Sequence, residues 1–321
     1  MALVTTWAIT VISFAIIELP PGDFATYYVS QLQVTGVQAT EAYALGASLR
    51  EEFGLDQPVY VKYSKWIGRI IRGNFGWSLE WQRPVIDLIG ERLVMTVIVT
   101  SAAMVFTWIV AIPIGIYSAV RQYAPEDHAF TFLGFIGLAI PDFLLALALM
   151  YFTWFWFGGS IGGLFSPEYI EAPWSLLRVW DLIKHLPIPA VVLGTAGAAG
   201  LIRIMRANLL DELRKPYVVT ARAKGVKEAR LIMKYPVRVA LNPFASTIGY
   251  LLPTIVSGSI IVSIVLSLPT VGPLLLRALL GQDLFLAATI IMMLGFLTVI
   301  GTLISDFVLM IIDPRIRMEG R

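Results

Sequence analysis

The sequence predicts an all-α, polytopic membrane protein with six membrane-spanning helices, and three observations support this. Hydrophobic residues make up 57% of the 321 and charged residues only 14%, whereas a soluble chain usually has about 25% charged residues. Several apolar runs reach or approach the roughly 20 residues that cross a bilayer. Lys and Arg are concentrated in some of the segments that join those runs, which is typical of a protein with a fixed orientation in a membrane.

The apolar runs define the predicted spans. These are residues 3–19, 93–117, 129–157, 186–204, 244–268 and 284–312. The first run lacks the basic n-region and the small-residue cleavage site of a secretory signal peptide, so a membrane span is favoured there. Trp154 and Trp156, near the outer end of the third span, are typical of an interfacial aromatic belt. In the fourth span, Gly194, Gly197 and Gly200 have the spacing of small residues in closely packed helices.

Four regions follow from this division of the chain. Residues 1–19 form the first span, residues 20–92 an external amphipathic region, residues 93–312 a transmembrane core and residues 313–321 a tail. The turn signal Pro20-Pro21-Gly22-Asp23 separates the external region from the span before it. The core contains one polar segment, residues 208–243, between its fourth and fifth predicted spans.

The distribution of positive charge predicts the orientation. Ten Lys or Arg lie from Arg203 to Arg238, one lies in residues 118–128 and three follow Ile312, which places 14 on one side of the membrane. The short loops on the other side hold three, namely Arg178, Lys184 and Arg277. Since short cytoplasmic loops retain positive charge, both termini and the basic segment are predicted to be cytoplasmic.

The segment 208–243 is polar, rich in Lys and Arg, and patterned like helices. Apolar Ala221, Ala223, Val226 and Ala229 alternate with charged residues, and Gly225 interrupts them. A basic helical segment between two spans does not enter the hydrocarbon. It is therefore predicted to lie at the membrane surface, where it contacts lipid headgroups or another protein.

Two motifs of common catalytic classes are missing from the sequence. It contains no G-x-x-x-x-G-K-[ST] nucleotide loop and no H-E-x-x-H. The chain has no cysteine, and its two histidines, His128 and His185, fall on opposite sides of the membrane in the predicted topology. We therefore expect neither an enzyme nor a metal site, and we expect no ATP hydrolysis by this chain.

Asp142 is the acid that the sequence places deepest in a span. It lies about 13 residues, or roughly 20 Å along a helix, from Ala129, and Pro141 beside it frees a backbone carbonyl, which suggests a locally opened helix. One interpretation is that Asp142 and Pro141 line or gate a solute pathway; the other is that Asp142 hydrogen-bonds a neighbouring span and holds the bundle together. Three further pathway candidates lie on the fifth span: Pro253, Ser259 and Ser263.

Part of the polar segment resembles a known family. Residues 217–225 read YVVTARAKG and resemble the cytoplasmic loop of ABC-importer permeases in the oligopeptide, dipeptide and nickel branch. Importers at large have Glu-Ala-Ala ahead of the glycine, and Val219-Thr220-Ala221 is a replacement common in the peptide branch. The resemblance runs from Leu19 to Arg317, and these further motifs carry it: Arg203-x-x-Arg206, Leu268-Pro269-Thr270-Val271-Gly272 and Asp313-Pro314-Arg315-Ile316-Arg317.

The resemblance implies the type I ABC-importer permease fold and a coupling helix that docks into an ATPase subunit. We expect a helix over residues 216–233, with Gly225 allowing a bend or a close approach. We expect Arg203 and Arg206 to cap the fourth span and reach headgroups by snorkelling. Attraction of the basic helix to anionic lipid is the alternative for the segment. The residues implied to couple to the ATPase are Tyr217, Thr220, Ala221, Arg222, Ala223, Lys224, Gly225 and Glu228.

The resemblance also implies partners and a location. The partners are a second homologous permease subunit, two ATP-binding subunits and an external, periplasmic substrate-binding protein, with membrane lipid around them and no nucleic acid. ATP-Mg would bind the partner subunits, so no cofactor is expected in this chain. The location implied is the bacterial inner (plasma) membrane, as a multi-pass protein that works by alternating access. Family members usually begin with a basic stretch and a longer first helix, which suggests a truncated N-terminus or a late start codon here.

The sequence leaves alternatives for the transported solute and for the energy source. Short peptides are the solute implied by the branch, and oligosaccharides are the alternative because some branches import them. A secondary transporter that is not driven by ATP is the alternative of a different class. Such folds often show internal repeats, and we find no convincing repeat between the halves of this chain, so the ATP-driven class is favoured.

Overall fold

The computed structural model describes residues 2–158 and 162–312, without the side chains of residues 2, 3, 157, 248–258 and 312. In those ranges the chain is almost entirely helical, which confirms the all-α prediction. The strands there are two short antiparallel ones, β1 (Trp77–Ser78) and β2 (Arg83–Pro84). The helices are α1 (Ala2–Glu18), α2 (Phe24–Val34), α3 (Ala39–Phe53), α4 (Val59–Ile71), α5 (Val85–Val120), α6 (Pro125–Ala139), α7 (Asp142–Phe157), α8 (Leu176–His185), α9 (Pro187–Leu213), α10 (Pro216–Ala223), α11 (Glu228–Lys234), α12 (Pro236–Ala240), α13 (Asn242–Val265), α14 (Val271–Leu280) and α15 (Leu284–Ile312), with a 3₁₀ turn at Pro167–Tyr169.

Helices lie at all six predicted spans. Helix α1 covers the first, α5 the second, α6 with α7 the third, α9 the fourth, α13 the fifth and α15 the sixth. By length and apolar composition, α5, α9 and α15 can each cross a membrane alone, and α6 with α7 form a fourth crossing if the bent pair is one span. Helix α9 continues nine residues beyond the predicted end of its span, because Leu209 on the added turns is fully buried.

The third span is broken into two helices at Pro141, the residue that we expected to free a backbone carbonyl. Helices α6 and α7 meet at 101°, across the break at Ile140 and Pro141. Pro141 lacks a backbone N–H and disfavours a helical conformation at the residue before it, and Ile140 accordingly has extended angles, φ −82° and ψ 119°. The sequence placed a proline here, and the structure shows that it ends a helix.

The described chain divides into two compact units. The first, unit 1, comprises the residues up to Thr96 together with Thr270–Val299; the second, unit 2, comprises Val97–Pro269 and the residues from Ile300. The predicted external region, residues 20–92, lies in unit 1 and contains α2, α3, α4 and the β-hairpin. The core of unit 1 has a large aromatic component: Phe14, Phe24, Trp66 and Phe285 are all less than a tenth exposed.

Asp283 fastens the β-hairpin of unit 1 to the start of α15. Its fully buried carboxylate accepts hydrogen bonds from the Ser78 hydroxyl at 2.6 Å and from the backbone N–H of Glu80 at 3.2 Å. It also accepts from the N–H of Leu286 at 3.2 Å, which satisfies a free donor in the first turn of α15. Sequence reasoning did not single out Asp283.

Helix α9 is central to unit 2 and contacts α6, α7, α8, α12 and α13. At Gly194 it approaches α5 closely: a Cβ there would lie 2.6 Å from the Phe106 ring and 2.9 Å from the carbonyl oxygen of Ala103. The Thr107 hydroxyl donates a 3.0 Å hydrogen bond to the Gly194 carbonyl. Close packing is therefore confirmed at Gly194. It is wrong at Gly200, where a Cβ would have no neighbour within 4 Å in the described part of the chain.

Candidate functional site

The segment between α9 and α13 folds as three short helices, α10, α11 and α12. The single helix that we predicted over residues 216–233 is therefore wrong. Gly225 has φ +74°, a left-handed conformation that a residue with a side chain adopts only at a cost, and this ends α10 before α11 begins. The bend that we expected at Gly225 is present.

Apolar side chains on one side of this segment attach it to the ends of α5 and α9. Val218 and Leu231 are fully buried and Ile232 is 7% exposed, in a cluster with Met205 and Leu209 of α9. Burial of these side chains stabilises the position of α10 and α11 on the rest of unit 2. We missed these residues, although large apolar side chains in an otherwise basic segment were a signal that could have found them.

The predicted coupling residues share the opposite, solvent-facing side. Gly225 is exposed, and so are the side chains of Tyr217, Thr220, Arg222, Ala223, Lys224 and Glu228, whereas Ala221 is half-buried against the apolar cluster. Thr220 donates to the carbonyl of Pro216 at 3.0 Å, and Tyr217 donates to the Glu212 carboxylate. The segment thus has a buried apolar side for anchoring and a polar side available to a partner.

An ion pair connects α10 to α11 across the Gly225 turn. The Arg222 guanidinium donates two hydrogen bonds to the Glu228 carboxylate, one of them 3.0 Å from Nε. The hydrogen bonds and the charge of Arg222 hold the pKa of Glu228 below its usual value. Each side chain is 51% exposed, so the pair is screened by water and shapes the turn more than it stabilises the fold.

Arg206 forms an ion pair with Asp127 that we did not predict. Its guanidinium donates to the two carboxylate oxygens of Asp127 at 2.9 and 2.8 Å, and the Asp127 side chain is 2% exposed. Asp127 also accepts a 2.9 Å hydrogen bond from the backbone N–H of Tyr123. A bidentate pair of this kind adds geometric specificity to the packing of α6 on α9. Arg203 lies over the Phe135 ring, 5.9 Å from its centroid.

The structure places the candidate pathway residues on two helices that contact each other, α7 and α13. Asp142 is the first residue of α7, directly after Pro141, and its side chain is half-buried. Residues 129–139 follow the axis of α6, and Asp142 comes three residues later, after the 101° bend. On α13, Ser259 is 6% exposed and Ser263 is fully buried, while the side chain of Pro253 lies outside the described residues.

Sequence comparison identifies relatives over nearly the whole chain. A family model described as "Binding-protein-dependent transport system inner membrane component" matches residues 111–318. The oligopeptide transport system permease protein AppB of Bacillus subtilis is 35% identical over 318 residues, which cover 98% of this chain and 96% of that protein. The oligopeptide transport system permease protein OppB of Mycobacterium tuberculosis is 31% identical over 84% of this chain and 83% of its own length.

A solved structure matches the fold. An inward-facing form of the MetNI methionine ABC transporter is similar with a TM-score of 0.55, at 17% sequence identity, over 71% of this chain and 97% of the matched chain. At this identity the likeness supports the fold alone, which agrees with the helical architecture described above. The family match and the relatives that cover nearly the whole chain show that it belongs to the binding-protein-dependent transport system inner-membrane components, as a permease subunit of the peptide group of ABC importers.

Proposed function

We propose that this chain imports short peptides across the bacterial inner membrane as one of two homologous permease subunits. The names of the relatives support a peptide as the solute. Relatives that match most of this chain are named oligopeptide or dipeptide transport system permease proteins. An external, periplasmic binding protein delivers the peptide. The termini and the segment of α10 to α12 lie on the cytoplasmic side, as the distribution of Lys and Arg favours.

Energy enters at the solvent-facing side of α10 and α11. Two ATPase subunits bind ATP-Mg, close around it and move the docked segments of the two permeases together. The buried contacts of Val218 and Leu231 with α9 support this route, because a segment anchored in that way passes its displacement to the span. The spans then tilt and alternate between outward-open and inward-open forms, and hydrolysis resets them.

Asp142 lines the solute pathway in this proposal. It lies at a helix break, which leaves free backbone groups, and within the described residues no Lys or Arg is within ion-pair distance of it. A carboxylate so placed is suited to meet the ammonium group of a peptide. Ser259 and Ser263, on the contacting helix α13, are further pathway residues in this proposal.

The coupling proposal is tested with Gly225→Trp and its control Gly225→Asn in the reconstituted four-subunit transporter. A Cβ at Gly225 would have no described neighbour within 4 Å, so a side chain there starts in open space, where a docked partner would meet it. Both variants carry the cost of φ +74°, which Asn tolerates better than other residues. We expect Trp, but not Asn, to reduce peptide uptake at least tenfold while the permease stays inserted. Wild-type uptake and peptide-stimulated ATP hydrolysis in Gly225→Trp would contradict docking at this turn.

The solute proposal is tested separately on the binding protein that works with this permease. We expect peptides of two to several residues to raise its melting temperature, and oligosaccharides to leave it unchanged. A shift in melting temperature with sugars and none with peptides would contradict a peptide solute and would leave the coupling proposal unaffected.

A further inference from the structure

Helix α8 is amphipathic, but its polar face is buried and its apolar face is exposed, the reverse of a surface helix in water. Residues three and four apart share one face of a helix, and Arg178, Asp181, Leu182 and His185 are related in this way. Three of the four are nearly fully buried: Arg178 is 5% exposed, Asp181 8% and Leu182 4%. The face that turns towards the protein is therefore largely polar.

That polar face is bound by the loop that precedes α8. The Asp181 carboxylate accepts hydrogen bonds from the backbone N–H of Ser166 at 2.7 Å and from its hydroxyl at 2.8 Å. The Arg178 guanidinium lies over the rings of Trp174, at 4.5 Å, and Phe165, at 4.7 Å. These contacts fix the rotation of the helix, because turning it over would break a buried network of hydrogen bonds and cation–π contacts.

The outward face is apolar as a result. Leu176 is 89% exposed, Leu177 66%, Trp180 58% and Ile183 49%. Lys184 lies at the edge of this face, with its ammonium nitrogen 5.7 Å from the centroid of the Trp180 ring. An apolar surface bordered by a tryptophan and a lysine is typical of helices that lie in a membrane interface.

The position of α8 in the chain puts it at the level of the membrane surface. A single residue, Leu186, separates it from α9, one of the helices that can cross a membrane alone. The loop that carries α8 leaves the end of α7, where Trp154 is 59% and Trp156 74% exposed. Both ends of this loop therefore meet the bilayer on the same side, and the exposed aromatic side chains mark that side.

We propose that α8 is an in-plane membrane anchor, which inserts Leu176, Leu177, Trp180 and Ile183 into the headgroup–acyl boundary of the phospholipid leaflet on the side of residues 158–185. Lys184 extends from the edge of that face towards a lipid phosphate. The lipid surface is continuous with α9 and offers apolar chains beneath a layer of phosphate, which matches the apolar face and the cation at its edge. The inference does not depend on which solute is imported.

Because the sequence contains no cysteine, spin labels on single cysteines report the surroundings of α8 without background. The variants are Leu176→Cys, Leu177→Cys and Ile183→Cys in the complete transporter, reconstituted into vesicles of phosphatidylethanolamine and phosphatidylglycerol. Power saturation compares access of each label to oxygen, which concentrates in lipid, and to a water-soluble nickel chelate. Glu171→Cys, in the exposed loop before α8, is the aqueous control, and Ile109→Cys, 67% exposed on α5, is the lipid control.

We expect all three α8 labels to be severalfold more accessible to oxygen than to the nickel chelate, at depths between those of the two controls. Nickel accessibility equal to that of Glu171→Cys would show that the face is in water, and low accessibility to both reagents would show that a protein covers it. Either result overturns the proposal. Three separate positions keep the test decisive if one variant fails to assemble.

Discussion

Helices α6 and α7 each begin with an acid in the first turn, and the two acids have different surroundings. Asp127, at the start of α6, is 2% exposed and receives two hydrogen bonds from Arg206. Asp142, at the start of α7, is half-buried, and the described residues provide it with no ion pair. A carboxylate in a first turn is favoured by the helix dipole in both places. The ion partner, and not the position in a helix, therefore distinguishes the surroundings of these two acids.

Loss of the Asp127 carboxylate should have the largest effect. Asp127→Ala removes the hydrogen bonds from Arg206, whose side chain is 26% exposed, and hydrogen bonds to charged groups typically contribute about 1.5–3 kcal/mol. We expect a large fall in the melting temperature of the solubilised permease, which differential scanning fluorimetry would measure. The double variant Asp127→Ala with Arg206→Leu should recover part of the loss, since no charge then remains unpaired. An unchanged melting temperature in Asp127→Ala would mean that Asp127 has no structural role that distinguishes it from Asp142.

Asp142→Asn should change transport and leave stability nearly intact. It removes a dipole interaction of roughly 0.5 kcal/mol and, in the proposed pathway, the charge that meets a peptide ammonium group. We expect uptake of peptides with a free amino terminus to fall about tenfold, which corresponds to about 1.4 kcal/mol. Peptides with an acetylated terminus are the control and should lose much less. Unchanged uptake in Asp142→Asn, with poor assembly of Asp142→Leu, would give Asp142 a structural role instead.

Asp23 in unit 1 extends the comparison to an acid of intermediate exposure. It precedes α2, accepts from Thr26 N–H at 2.8 Å and pairs with Arg50 at 2.7 Å, with 22% of its side chain exposed. Burial alone would raise its pKa, but the hydrogen bonds from Arg50 and Thr26 outweigh this and lower it to about 2. Because the folded pKa is depressed, the stabilisation is complete above the ordinary value of 3.8 and is lost as the pH falls towards 2.

The test is therefore a difference between two proteins at two pH values. We expect Asp23→Asn to melt below the wild type at pH 6, and this gap to narrow at pH 3. A gap that is equal at both pH values would mean that the carboxylate charge of Asp23 does not stabilise the fold.

Glu228→Gln should have the smallest effect on stability. Its pair with Arg222 is half exposed, so solvent screens the interaction and we expect no measurable change in melting temperature. A modest loss of transport per ATP hydrolysed is expected, because the pair connects α10 to α11 across the Gly225 turn. A fall in melting temperature as large as that of Asp127→Ala would show that the exposure of an ion pair does not determine how much it stabilises this protein.

The sequence predicted where the helices lie better than how they meet. Apolar runs located α5, α9 and α15 because burial in lipid requires an unbroken apolar stretch. The partner of Asp127 could not be predicted, because Arg206 is 79 residues away and only the packing of α6 on α9 brings them together.

Within the candidate site, the exposed polar residues followed from their pattern and the break at Gly225 followed from residue type. The 101° bend at Pro141 could not be predicted in size, since a proline permits a range of bends and the contacts of α7 with α9 and α13 select one. Likewise, the polar and apolar faces of α8 can be read from the spacing of Arg178, Asp181 and His185, but which face turns inward is decided by the loop that packs against it.

The length of α9 has a mechanical consequence. Its 27 residues span about 40 Å, and its prolines, Pro187 and Pro189, are confined to the first turn, so no interior kink absorbs a movement. One end of α9 adjoins α8, and the other adjoins α10. If α8 rests in the lipid interface, a change in its depth tilts α9 and moves α10, the start of the proposed coupling segment, at the other end. Bilayer thickness would then act on the same helix as the proposed ATPase contact, and the rate of transport would depend on lipid composition without any pocket for a lipid.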